Sequence, residues 1–159
     1  MQSLEHIVAA NAPPDTSAPK KRRKVTSPTQ RTLERCRKLG YEAGVVERPW
    51  NPHTKKTTDL FGVIDIVAIA PGGILAIQAT TGAHHADRRA KILAEPRARA
   101  WVVAGGSLEL WTWSKRGPGE SKRWALRVEA FHVDEGAFVG VDQHDTARQL
   151  PPRRREAVA

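Results

Sequence analysis

Cysteine is nearly absent from this 159-residue chain: Cys36 stands alone. That excludes an intramolecular disulfide framework and a cysteine-rich zinc site, and it fits a reducing compartment, expected to be the cytoplasm. No apolar run approaches the roughly 20 residues of a membrane-spanning helix, and none follows a basic segment at the start, so neither a membrane partner nor a secretory signal is expected. There is no P-loop, no GxGxxG after a strand and no serine or cysteine nucleophile motif, which removes the usual signatures of nucleotide binding and covalent hydrolysis. No internal repeat is visible.

What is abundant is positive charge. Lys and Arg number 26 against 17 Asp and Glu, a net charge of +9 that favours a polyanionic partner such as DNA. Eight of these basic residues fall in two runs, Lys20, Lys21, Arg22, Arg23, Lys24 and Arg153, Arg154, Arg155, leaving a surplus of four between Val25 and Pro152. Residues 1–26 mix Pro, Ala, Ser and Asp with the basic run and read as a disordered arm whose lysines and arginines would add phosphate affinity without specificity. The run "PKKRRKV" is similar to a nuclear localisation signal, which would make the protein nuclear; short basic tails on prokaryotic proteins have the same composition. The pattern places one folded domain at 27–133 and an extension with a basic tail at 134–159.

Within that domain "SPTQRTLERCRKLG" predicts a helix: Ser27 caps it, Pro28 suits its first position, Gln30 closes a capping box and Gly40 ends it. Leu33, Cys36 and Leu39 share one face. "YEAGVVER" reads as a strand and "PWNPHTKKTTD" as a loop. Two further strands, Val63 to Ala70 and Ile74 to Thr80, are apolar on both faces, as in a sheet covered by helices. "AHHADRRAKILAEP" predicts a helix with Ala86, Ala90 and Leu93 toward the sheet and Arg88 and Lys91 elsewhere. "AWVVAGGSLELWTW" reads as two short strands joined at Gly105 and Gly106, and "RWALRVEAFHV" as one more; from Asp134 the pattern fades. Trp101, Trp111, Trp113 and Trp124 suit packing or base stacking. The fold class is α/β, a mixed central sheet in α-β-β-β-α-β order flanked by helices, with extra C-terminal strands.

Two polar residues interrupt this apolar pattern. A turn at Pro71 and Gly72 pairs Ala70 with Gly73, and the same register sets Asp65 opposite Gln78, with Thr80 on their face. A buried acid needs a partner, and either a divalent cation or a structural hydrogen bond to Gln78, Thr80 or a basic side chain meets that need. The neighbouring His84 and His85 start a helix and point apart, so they do not share a metal; with His53 they suit solvent or phosphate contact.

An acid on the second strand of a β-meander, a polar-x-polar unit on the third, then a helix and a strand, resembles the PD-(D/E)xK, restriction-endonuclease-like nuclease superfamily, near its Holliday-junction-resolvase and Mrr-like branches. The resemblance covers roughly residues 27–112. It implies a metal-dependent DNA endonuclease, with a non-catalytic nucleic-acid-binding module on the same fold as the alternative. It sets Asp65 ("VIDIVAI") on the metal-binding aspartate and Gln78 ("AIQAT") on the second ligand position, with the Ala79 carbonyl as a third donor to Mg²⁺ or Mn²⁺. Thr80 stands where the family places a catalytic lysine, so Lys91 or Arg88 on the next helix is the candidate replacement, Arg88 also being a candidate phosphate contact. Glu47 and Asp59 are candidates for a further carboxylate, and a homodimer is compatible with the family.

Overall fold

The computed structural model describes residues 26–46, 48–53 and 56–143. The arm with Lys20, Lys21, Arg22, Arg23 and Lys24, the candidate acid Glu47, and the tail with Arg153, Arg154 and Arg155 lie outside the described residues.

Helix α1, Pro28–Lys38, begins as its sequence dictates. Ser27 Oγ accepts from Gln30 N at 3.2 Å and Gln30 Oε1 accepts from Ser27 N at 3.3 Å, so two N–H groups that the helix cannot satisfy internally are paired reciprocally. Strand β1, Glu42–Val45, follows, then a small two-stranded hairpin of β2, Arg48–Asn51, and β3, Lys56–Thr58, where a loop was expected. Strand β4, Ile66–Ala70, and strand β5, Gly73–Thr81, form the predicted hairpin with Ala70 paired to Gly73.

The crossover holds one correction. A 3-10 turn at Gly82–His84 leads into α2, His85–Ala94, and a second helix, α3, Pro96–Val103, takes up the "AWVV" segment that reads as a strand. The cause is local: Pro96 occupies the first turn and the Glu95 side chain accepts from Arg97 N at 3.1 Å, a capped start that outweighs the β preference of Trp101, Val102 and Val103. Tertiary contact secures it, since Ala98 is buried in the core and Trp101 Nε1 donates to the Ser107 carbonyl at 2.9 Å.

Strands β6, Ser107–Arg116, β7, Arg123–Asp134, and β8, Ala137–Gln143, complete a six-stranded sheet in the order β1-β4-β5-β6-β7-β8. All neighbours are antiparallel except β5 and β6, which are parallel because the helical crossover returns the chain to the same end. The sheet thus continues past Asp134, where the sequence pattern fades. Strand β8 is an edge whose residues are all exposed or partly buried, so it lacks the alternation that marks a covered strand.

Two apolar layers sandwich the sheet. On one face Leu33 and Cys36 of α1 and Leu39, which caps it, meet Ile66, Ala68, Ile77 and Trp111; on the other, Ile92 of α2 and Ala98 of α3 meet Ala76, Leu108, Leu110 and Phe131. Coverage stops short of the β4–β5 turn, where the cross-strand pair Ile69 and Ile74 is exposed, so these strands are not covered along their whole length. Among the described residues no helix is long and apolar enough to cross a membrane.

Candidate functional site

The β4–β5 register pairs Ile66 with Ile77, and one step beyond the end of that ladder Asp65 meets Gln78. Strand β5 runs on to Thr81 while β4 has already ended, so the β5 backbone past Ile77 needs another partner on that side. Asp65 supplies it. Its N–H donates to the Ile77 carbonyl at 3.0 Å and its carbonyl accepts from Val46 N at 2.9 Å. Its side-chain Oδ2 accepts twice, from Gln78 Nε2 at 2.6 Å and from Ala79 N at 2.9 Å.

Asp65 is 6% exposed, Gln78 1% and Thr80 5%. Gln78 and Thr80 alternate with the core residue Ala76, which sets them on the face covered by α2 and α3, and the contact with Asp65 brings the acid to that same place. The carboxamide of Gln78 is half satisfied: its nitrogen meets Asp65, while Oε1 is buried and has no hydrogen-bond partner among the described residues. An orphaned carbonyl oxygen beside a carboxylate is a place for a cation. Rotating the amide by half a turn would aim Oε1 at the carboxylate, an arrangement that a cation between them would stabilise. The Ala79 N–H faces Asp65, and in an antiparallel strand the carbonyl of the same residue points the same way. The donors Asp65, Gln78 and Ala79 are all oxygens, which suits Mg²⁺ or Mn²⁺ retaining several waters and does not suit zinc. Among the described residues no three His, Cys, Asp or Glu side chains converge on a metal position.

The other candidates lie around this pair. Lys91 is exposed and stands beside the tight turn at Gly62, lining a cavity with Asp59, Phe61 and Val46. Val46, which bonds the Asp65 backbone, shares this cavity with Lys91, but the described neighbours of Lys91 are the turn residues and not Gln78 or Thr80. Arg88 Nη1 lies 3.6 Å from Asp59 Oδ2, so those two candidates form a partly buried ion pair with each other. His53 and His84 are exposed.

Helix α2 departs from its expected orientation. Leu93 packs against the core as expected, but Ala86 and Ala90 are exposed, and the stripe turned to the sheet is His85, Arg89 and Ile92. The reason is the polar floor beneath it: the register aligns Gln78, Leu110, Glu129 and Asp142 in one row and Thr80, Thr112 and Arg127 in the next. Glu129 is 3% exposed at its side chain, and its Oε1 accepts from Arg89 Nε at 2.6 Å. His85 Nδ1 and Thr112 Oγ1 share a hydrogen bond of 2.8 Å, and His85 Nε2 lies 3.2 Å from Glu129 Oε2. Sequence reading assigned the acid no role; its signal is a carboxylate between Val128 and Phe131 on a strand that is otherwise inward-facing there.

Burial, reinforced by the Arg127 cation, lowers the pKa of His85 below its ordinary 6.5, against the opposing pull of Glu129 and Asp142. As pH falls from 6.5 toward the folded value, the unfolded chain binds more protons than the native one, so His85 makes stability rise with pH over that window and contributes no slope above it. The expected outcome is that His85→Gln narrows the gap between urea midpoints at pH 5 and pH 8. An unchanged gap would show that His85 is neutral in neither state more than the other.

No family model matches the chain, and no curated protein or solved structure matches it either.

Proposed function

We propose that this chain is a Mg²⁺- or Mn²⁺-dependent DNA endonuclease, with Asp65 as its central acid. One observation carries the reading: a buried carboxylate touches a buried carboxamide whose remaining oxygen has no partner among the described residues. The strand order supports it, because a meander followed by a helical crossover to a parallel strand is the arrangement that the PD-(D/E)xK resemblance implies.

Held by Asp65, Gln78 and the Ala79 carbonyl, the ion would supply the charge that activates water and offsets negative charge developing on the phosphate. The chain's own tasks are separate. Asp65 fixes the end of β5 through the Ala79 N–H, and the Gln78 carboxamide turns its oxygen inward when a cation is present. Thr80 brings no charge, so a cationic group near the phosphate would come from α2, where Lys91 stands at the Gly62 turn. One such site cuts one strand; a homodimer would supply two. The protein would act wherever DNA is present, in the cytoplasm, or in a nucleus if the PKKRRKV run directs import.

A specific observation favours a second reading, a non-catalytic DNA-binding module on this fold. Asp65 Oδ2 is already satisfied by two protein donors, which is what a purely structural acid needs. The two are separated by incubating the protein with linear, branched and single-stranded DNA in Mg²⁺ or Mn²⁺. Cleavage that EDTA stops and Asp65→Asn abolishes is expected; DNA that is bound but never cut would establish the module instead.

A further inference from the structure

The sheet face opposite the Asp65 site carries a basic groove. Arg31, Arg35 and Lys38 recur on one side of α1 at spacings of four and three residues, spanning about 10 Å of helix. They face Trp124 and Leu126 of β7 across a cavity of about 330 Å³, with Glu34 the one acid in its lining. Strands β6 and β7 extend beyond β5, and their register sets Lys115 opposite Trp124 and Arg116 opposite Arg123, so the projecting end of this hairpin adds more exposed positive charge.

Trp124 organises the groove. It is 38% exposed, the Arg31 guanidinium carbon lies 4.1 Å from its ring centroid, and Lys115 Nζ lies 5.6 Å from the same centroid. Stacking fixes the plane of the Arg31 guanidinium and leaves its N–H edge to meet an anion. Arg31 Nε is buried with no hydrogen-bond partner, and Arg31, Lys38 and Lys115 have no ion pair, among the described residues. Cations that close together repel one another unless a polyanion meets them.

We infer that this groove holds the phosphate backbone of DNA, as a metal-independent contact on the sheet face opposite Asp65. With cations already over the indole, phosphates rather than stacked bases are the groups it fits. A row of lysine and arginine with a single acid in its lining, continued by the cations of the projecting hairpin, matches the regular negative charge of a phosphodiester chain better than the scattered carboxylates of an acidic protein. This inference shares the DNA partner of the preceding reading and rests on none of its chemistry.

The test is fluorescence anisotropy of a labelled 20-base-pair duplex with the full chain in EDTA, across a salt series. Replacing Arg31, Lys38 and Lys115 together by alanine removes up to three phosphate contacts, and the slope of log K against log salt should become shallower by about 2.7. The fall in affinity between 50 and 200 mM salt should then shrink by about 40-fold. Lys38→Glu with Lys115→Glu, at two exposed positions, should weaken binding at least as much and guards against misfolding of the triple variant. Unchanged slope and affinity in both groove variants would overturn the inference, whereas loss of cleavage alone would bear only on Asp65.

Discussion

Asp65→Asn is expected to abolish metal-dependent cleavage while leaving the fold nearly as stable as before, and Asp65→Ala to damage both. The distinction follows from one atom. Gln78 Nε2 and Ala79 N both donate to Oδ2, so an asparagine that places its carbonyl oxygen there keeps both bonds while it loses the negative charge and exchanges the second oxygen for an NH₂. Alanine leaves two donors without an acceptor in a buried or partly buried setting, at about 1–3 kcal/mol each, so its folding cost should total roughly 2–6 kcal/mol. Loss of a group behind a metal ligand typically costs 10- to 100-fold in affinity or activity, and losing the ligand charge itself should cost at least about 100-fold in rate. Denaturant midpoints and cleavage rates measured side by side check this. Equal loss of stability in both variants would mean that the carboxylate's charge, and not its oxygen, holds the strand end.

The second large effect belongs to Glu129. Glu129→Ala removes the acceptor of Arg89 Nε and the carboxylate beside His85, and empties space under α2. Breaking a buried pair typically costs 3–5 kcal/mol, but the Arg89 side chain is 42% exposed and regains water, so about 2–3 kcal/mol is expected. Gly140 supplies an internal control. A β-carbon there would collide with Glu129 Oε1 and crowd the Phe131 ring, so Gly140→Ala should cost about 1–3 kcal/mol in the wild-type background. In the Glu129→Ala background part of that clash disappears, and a double-mutant cycle should show a coupling of about 0.5–2 kcal/mol. Strictly additive effects would place the two residues out of contact.

These residues also mark what could be read from the sequence. The α1 start was legible because a capping box is decided within four residues, and the Asp65–Gln78 pairing because a short turn at Pro71 and Gly72 fixes register for the whole hairpin. The α3 segment was misread because Trp101 and the valines after it carry a β preference that the Pro96 start and the packing of Ala98 override. The orientation of α2 was not legible locally. Ala86 and Ala90 look like the buried side until Thr112, Glu129 and Arg127, brought from two later strands, provide a polar floor that only His85 and Arg89 can match. The groove at Trp124 was hidden for the same reason, since Arg31 and Trp124 meet only once α1 has packed on the sheet with its Arg31 side toward β7.

The most direct test of a cation at Asp65 and Gln78 is paramagnetic broadening of amide signals by Mn²⁺ in the ¹⁵N-labelled protein. Substoichiometric Mn²⁺ is expected to broaden the Gln78 side-chain NH₂ and the Ala79 backbone N–H first, and Asp65→Asn to remove that selectivity. Sharp Gln78 and Ala79 signals at Mn²⁺ concentrations that broaden other parts of the protein would contradict the metal site and leave Asp65 as the structural cap of β5.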